Sequence, residues 1–201
     1  MSQQSKANQA AFDIGQMTER MAQGYYMHLA AIQVAKDPRA IFLSANVEPG
    51  QIVPVGRIRH EDGTRHEFDF AHYLAQARTN PAMVADLDRL WLVGALLTIG
   101  DALAKQSYFD HAPELELLRH LRNGVAHGNT FRINLKLLAK FPAHNRLAWV
   151  RSDSKAEFEI TPNLQNQPVL FDFMGPGDIL HLLMSVGLYL IRMGNGDALR
   201  P

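Results

Sequence analysis

Apolar residues recur at steps of three and four along four long stretches of the chain, which predicts a mainly helical protein. These stretches begin near residues 10, 81, 113 and 176. Proline marks three of the starts, at Pro81, Pro113 and Pro176, where its fixed φ suits the first helical position. Two shorter helical patterns cover about residues 70–77 and 135–138.

The apolar stripes of the first two long helices predict which side chains face the core. The predicted core-facing residues are Ile14, Met17, Met21, Tyr25, Leu29 and Ile32 in the first, and Met83, Val84, Leu87, Leu90 and Trp91 in the second. Residues 91–99 are apolar nearly all round, so this part of the second helix should lie at the centre of the core. Asp101 follows directly, and it either lies at an exposed edge or pairs with a cation.

Two segments switch from helical spacing to alternation of apolar and polar residues, which predicts small β-hairpins. They lie near residues 53–70, with Asp62 and Gly63 in the turn, and near residues 147–161, with a turn at 152–154. We therefore expect residues 1–201 to form one mainly α domain, a helical bundle of four or more helices with two hairpin insertions.

The amino-acid composition excludes several classes of function for this protein. The 201 residues contain 20 Lys plus Arg against 20 Asp plus Glu, which excludes a globally polycationic nucleic-acid binder. Cysteine is absent, which excludes thiolate metal sites and a thiol nucleophile. The N-terminal residues are polar and the apolar run at 179–191 is too short to cross a bilayer, which needs about 20 residues. We therefore expect a cytoplasmic protein with no membrane partner.

The basic residues concentrate in one region despite the neutral total. Between Glu114 and Arg146 there are six Lys or Arg and two acids, a local net charge of +4. One interpretation is a basic helix end that complements the helix macrodipole. The other is a surface that binds phosphate or nucleic acid. Charge alone leaves both open.

The spacing of residues within this region indicates a group of side chains that could act together on a phosphate. Arg119, Asn123 and His127 follow one another at steps of four, which would place them on one helix face, and His120 precedes His127 by seven. Imidazole exchanges protons near neutral pH, and guanidinium binds phosphate through two hydrogen bonds. Together they could cleave a phosphodiester without a metal.

The segment from Arg122 to His127, RNGVAH in one-letter code, resembles the R-x(4–6)-H motif of the HEPN superfamily. The setting is also similar, because the motif lies late in a helix that follows a very apolar one. Within the superfamily, the plasmid-encoded HEPN-like group is the most similar. The tyrosine that often follows the histidine in toxins of this type is absent, since Gly128 and Asn129 follow His127.

The resemblance implies a metal-independent endoribonuclease that acts as a homodimer, in a toxin or defence setting. His127 would be the general acid or base, Arg122 would bind the scissile phosphate, and Asn123 would orient one of them. Arg119 and His120 would bind substrate. The implied partners are RNA, a second copy of the chain and a protein inhibitor or antitoxin, with neither cofactor nor metal.

Two further considerations bear on this hypothesis. Arg122 and His127 are about 140° apart on an ideal helix, so the long arginine, a broken last turn or a second subunit must bring them together. Asp101 would support Arg122, either by positioning it or as a structural ion pair. The sequence does not determine how Arg122 and His127 come together, and it does not determine which of the two roles Asp101 has.

Two alternatives belong to other functional classes. A non-catalytic HEPN-like domain would bind RNA, a nucleotide or a protein without cleaving it. A metal hydrolase would use the best available ligands, His111, His120, His127 and His144, although no H-E-x-x-H motif is present.

Overall fold

The computed structural model describes residues 8–43, 55–147 and 156–199, and most of these residues are helical. In chain order the elements are α1 (Gln9–Lys36), β1 (Val55–Arg59), β2 (Arg65–Asp69), α2 (Phe70–Thr79), α3 (Pro81–Lys105), α4 (Pro113–Ala126), α5 (Leu135–Lys140) and α6 (Pro176–Asn195), with short 3₁₀ turns at Pro38–Leu43 and Pro162–Leu164. The mainly α class and the four predicted long helices are confirmed. None of the described helices is long and apolar enough to cross a membrane.

The chain divides into two compact units. The core unit contains the chain up to Gly24 and from Trp91 onward, and the hairpin unit is Tyr25–Leu90. Helices α1 and α3 contribute residues to both units.

The core unit contains most of the buried apolar side chains. Its centre is formed by α4 packed against α6, together with the part of α3 that follows Trp91. The fully buried residues of α3 and α4 are Leu92, Leu96, Ile99, Leu103, Leu115, Leu117, Leu118 and Leu121. The prediction that the apolar stretch at 91–99 lies in the core is confirmed for one side of α3, whereas Gly94 and Thr98 are exposed.

The hairpin unit buries few apolar side chains. Among the residues of this unit whose burial the structure describes, 25–40 and 56–90, only Tyr25 and Ala40 are both apolar and buried. The predicted core positions Leu29, Leu87 and Leu90 are exposed, and Leu90 keeps 66% of its surface accessible. The helical spacing was therefore correct, and Tyr25 is buried as predicted, but the inference that the stripe faces a core was wrong for Leu29, Leu87 and Leu90. Periodicity identifies an apolar face without identifying what covers it.

The first predicted hairpin is confirmed. Strands β1 and β2 pair antiparallel, with Arg57 opposite Glu67 and Ile58 opposite His66. Most of the second predicted hairpin, including its turn at 152–154, lies outside the described residues. The described flanks carry one antiparallel bridge, between His144 and Glu159.

Candidate functional site

The predicted motif lies at the C-terminal end of α4 in the core unit. The helix ends at Ala126, and His127 is its C-cap, with φ −109° and ψ 39°. Gly128 adopts a left-handed conformation with φ +78°, which is common for a glycine that follows a helix end. Asn129 is also left-handed at φ +61°, which asparagine tolerates better than most residues. The chain therefore turns sharply away from the helix beside His127.

Arg122 is held in place by Asp101 of α3. The Arg122 Nε donates to Asp101 Oδ1 at 2.9 Å, and the Nη2 donates to the same oxygen. The Arg122 Nη1 donates to Asn123 Oδ1 at 3.0 Å. The Arg122 side chain is 29% exposed and Asp101 is 54% exposed. Both alternatives for Asp101 therefore hold, because it pairs with a cation while lying at an exposed edge.

The stem of Arg122 lies directly over Gly100 in α3. A Cβ atom at residue 100 would lie 2.4 Å from the Arg122 Cγ and 2.8 Å from its Cβ. These distances are well below van der Waals contact, so any larger residue at position 100 must displace the arginine. Gly100 and Asp101 together fix where the guanidinium lies.

We expect Gly100→Ala to displace Arg122 from Asp101 and to destabilise the protein by about 1 kcal/mol, since overpacking exceeds the gain in helix propensity. Gly94→Ala is the matched control in the same helix, because nothing lies within 4 Å of a Cβ there. That control should instead stabilise the protein by up to about 1 kcal/mol. Urea unfolding of both variants tests the prediction, and equal shifts in the same direction would contradict it.

His127 is exposed, and no described residue forms a hydrogen bond or ion pair with its side chain. It follows the end of α4 and has non-helical backbone angles, so the 140° separation of an ideal helix does not apply to it. Within the described residues no hydrogen bond joins the side chains of Arg122 and His127. The structure thus places one exposed imidazole without a described hydrogen bond at the same helix end as a fixed guanidinium.

The two predicted substrate-binding residues lie in the interior of the core unit. Arg119 is buried and forms an ion pair with Glu116, and its guanidinium lies 5.3 Å from the centre of the Tyr108 ring. His120 is 4% exposed. The expected face shared by Arg119, Asn123 and His127 does not form, because α4 is buried over its first two turns and ends before His127. Direct substrate contact would require both residues to leave the core.

His120 is a buried, neutral histidine. Burial, together with the nearby charge of Arg119, lowers the pKa of His120 from 6.5 to about 4. Its Nε2 has no hydrogen-bond partner among the described atoms. This environment suits a packed core side chain.

His120 should make the protein sensitive to acid. The unfolded chain binds a proton at His120 near pH 6.5, whereas the folded chain resists protonation until about pH 4, so protons favour unfolding between these values. We expect this to cost about 3 kcal/mol of unfolding free energy over that interval. Comparing wild type with His120→Leu at several pH values isolates the contribution. If the free energies of unfolding of the two proteins changed equally with pH, the predicted contribution of His120 would be contradicted.

Sequence reasoning missed a buried charge cluster in the first half of α4. Glu116 is 0% exposed, and its carboxylate accepts a hydrogen bond from His111 Nδ1 at 2.7 Å while pairing with Arg119. Glu116 fits the pattern of an acidic residue that stabilises a helix N-terminus, and this pattern gives no indication of burial. The i,i+3 spacing of Glu116 and Arg119 was the available signal.

Asn129 was also missed as a structural residue. Its side-chain amide binds both backbone groups of Leu170, accepting from the N–H at 2.7 Å and donating to the carbonyl at 2.5 Å. The Asn129 carbonyl accepts from the Val169 N–H at 3.1 Å. Asn129 thereby fixes the segment at 169–170 beside the end of α4.

The histidines suggested as metal ligands have different environments. His111 is bound to Glu116, His120 is buried and His127 is exposed. Among the residues that the structure describes, no group of three or more His, Asp or Glu side chains is placed to hold a metal ion.

Comparisons of the chain with protein-family models, curated proteins and solved structures found no significant match.

Proposed function

We propose that the protein is a HEPN-like, metal-independent endoribonuclease whose site is the end of α4. The observation that carries this proposal is the fixed Arg122 guanidinium at the same helix end as an exposed, unpaired His127. This is the combination that the R-x(4–6)-H motif requires, a positive charge and a proton-transfer group. We place the protein in a toxin or defence setting on the basis of the resemblance alone.

Cleavage would proceed through the RNA 2′-hydroxyl. His127 accepts the proton of that hydroxyl as its oxygen attacks phosphorus, and the bond from phosphorus to the 5′-oxygen breaks. The 5′-oxygen takes a proton from an imidazolium or water. The products are a 2′,3′-cyclic phosphate and a free 5′-hydroxyl. Charge develops on the phosphate oxygens in this step, where a fixed cation stabilises it.

Arg122 retains hydrogen-bonding capacity for this role. A guanidinium has five N–H groups, and the contacts with Asp101 and Asn123 use three of them. Asp101 orients the arginine from one side, so the remaining N–H groups have a fixed direction. We assign Asp101 and Asn123 as positioning residues on this basis.

We further propose that the active form is a homodimer. Exposed apolar side chains on α1 and α3 of the hairpin unit support this part of the proposal, including Met27 at 73%, Val34, Leu87 and Leu90. Met27 and Val34 lie seven residues apart on α1, and Leu87 and Leu90 lie three apart on α3, so each pair shares a side of its helix, and exposed apolar patches mark association surfaces. Analytical ultracentrifugation should show a dimer, and Met27→Lys with Leu90→Lys should shift it towards monomer.

The test of the proposed function is RNA cleavage by the purified full chain in excess chelator. We expect cleavage, with products that end in a 2′,3′-cyclic phosphate. Cleavage that requires an added divalent metal, or products with a 3′-hydroxyl, would rule out the mechanism. Copurifying nuclease is controlled by a variant prepared in parallel, His127→Ala.

A non-catalytic interaction domain is the second candidate. The ion pair with Asp101 favours it, because it neutralises much of the Arg122 charge that a phosphate would need. The exposed apolar side chains of the hairpin unit would then bind a protein partner, such as an inhibitor or antitoxin. Binding of RNA or a protein without cleavage under any condition would favour this candidate.

A further inference from the structure

The β-hairpin of the hairpin unit places two arginines side by side. In the register of β1 and β2, Arg59 lies directly opposite Arg65. Directly opposed residues on antiparallel strands have Cα atoms about 4.5–5.5 Å apart and their side chains on the same face. Both arginines are exposed, and within the described residues neither forms an ion pair or a hydrogen bond through its side chain.

This arrangement has no evident structural purpose, since like charges directly opposite each other destabilise a strand pair. The neighbouring pair on the same face shows the stabilising alternative, because Arg57 Nε donates to Glu67 Oε1 at 2.9 Å. The acidic Asp62 in the turn is occupied locally, as its Oδ1 accepts from the Thr64 backbone N–H and hydroxyl. An external anion would relieve the repulsion between Arg59 and Arg65.

We propose that Arg59 and Arg65 form a phosphate-binding site for the RNA backbone, an auxiliary contact outside the cleavage site. This inference rests on the proposed function, which makes RNA the substrate. Guanidinium groups bind phosphate through paired hydrogen bonds, so two adjacent guanidinium groups can bind neighbouring phosphates of an RNA backbone.

Equilibrium binding of a single-stranded oligoribonucleotide tests the site. The full chain carries His127→Ala to prevent cleavage, and binding is measured over a range of salt concentrations. Arg59→Ala with Arg65→Ala should weaken binding about tenfold at low salt. It should also reduce the slope of log K against log[salt] by about 1.4, the value for two lost phosphate contacts on a single strand.

The matched control removes two other exposed cations of the same unit, Lys36→Ala with Arg78→Ala. It makes the same change in net charge at positions away from the hairpin, so it should lose less than threefold in affinity. Glu61→Gln, at the hairpin turn, should strengthen binding because it removes a negative charge near the two arginines. Equal losses in the two double variants would overturn the proposal, since net charge would then explain the effect.

The outcome is separable from that of the proposed function. Wild-type cleavage combined with equal RNA binding by both double variants would reject the hairpin site and leave the ribonuclease proposal intact. Selective loss of binding in the Arg59 and Arg65 variant, with no cleavage by wild type, would support the hairpin site and reject catalysis. If the Arg59 and Arg65 variant kept its RNA binding but lost the binding of an acidic protein, the two arginines would bind a protein partner. That result would also overturn the proposed RNA site.

Discussion

Replacing His127 by alanine should lower metal-free RNA cleavage about 10²–10⁴-fold, the usual contribution of a proton-transfer group. The variant should fold normally, because the side chain is exposed and has no hydrogen bond with a described residue. The measurement is the initial rate of cleavage in excess chelator, combined with the urea midpoint of each protein. His72→Ala, another exposed histidine, should leave the rate unchanged.

Replacing Arg122, the arginine of the motif, should also lower the rate of RNA cleavage. Arg122→Ala should lower the rate about 10²–10³-fold, as expected for loss of a group that stabilises developing charge. It should cost only about 1 kcal/mol in stability, because its ion pair with Asp101 is half exposed. Arg132→Ala removes the same charge from an exposed position in the same basic segment and serves as the control. A rate that survives either motif substitution would refute the assignment.

Mixing the two inactive variants tests whether the site combines residues from two subunits. A mixed dimer contains one intact Arg122 and one intact His127, on different chains. If these act on one phosphate across the interface, mixing should restore activity above that of either variant alone. If both groups must belong to one chain, mixing should restore nothing, and a site shared between two subunits would be rejected.

Glu116→Ala should be the most destabilising of the substitutions considered, by about 3–5 kcal/mol. The fully buried Glu116 carboxylate neutralises the buried Arg119 and binds His111, so its removal leaves an unpaired cation inside the core unit. Domains of this size have only about 5–15 kcal/mol of total stability, so the variant should unfold at markedly lower denaturant. Equilibrium urea unfolding measures the change.

Two further variants test whether the unpaired charge of Arg119 causes the loss of stability in Glu116→Ala. Glu67→Ala removes a carboxylate from the exposed pair with Arg57 and should cost less than about 1 kcal/mol. Glu116→Leu combined with Arg119→Leu removes both buried charges and should be less destabilised than Glu116→Ala. A loss below about 1 kcal/mol for Glu116→Ala would show that solvent already screens this pair.

Local signals predicted the helices and their ends well. Pro81, Pro113 and Pro176 stand at the first positions of α3, α4 and α6, and Gly128 follows the end of α4 in the left-handed conformation. These signals act through backbone geometry within a few residues, so they survive in almost any tertiary context. The hairpin at Asp62 and Gly63 was predicted for the same reason.

Burial was predicted less well, because it depends on contacts between distant segments. Leu29, Leu87 and Leu90 have the spacing of core residues but are exposed, whereas Glu116 and Arg119 are charged but buried. The spacing of Arg119, Asn123 and His127 predicted one face, yet α4 ends between the second and third of these residues. A helical wheel describes directions around one axis and includes neither the neighbouring elements nor the end of the helix.

The sequence by itself determined where the helices and the first hairpin form, and it placed an arginine, an amide and a histidine within six residues at one helix end. The tertiary structure decided which of the candidate groups are accessible. It buried Arg119 and His120, fixed Arg122 against Gly100 and Asp101 of α3, and left His127 exposed. The reason is that the ends of helices and the positions of turns follow from local backbone geometry at residues such as proline and glycine, whereas the exposure and pairing of a side chain are set by packing against residues distant in sequence.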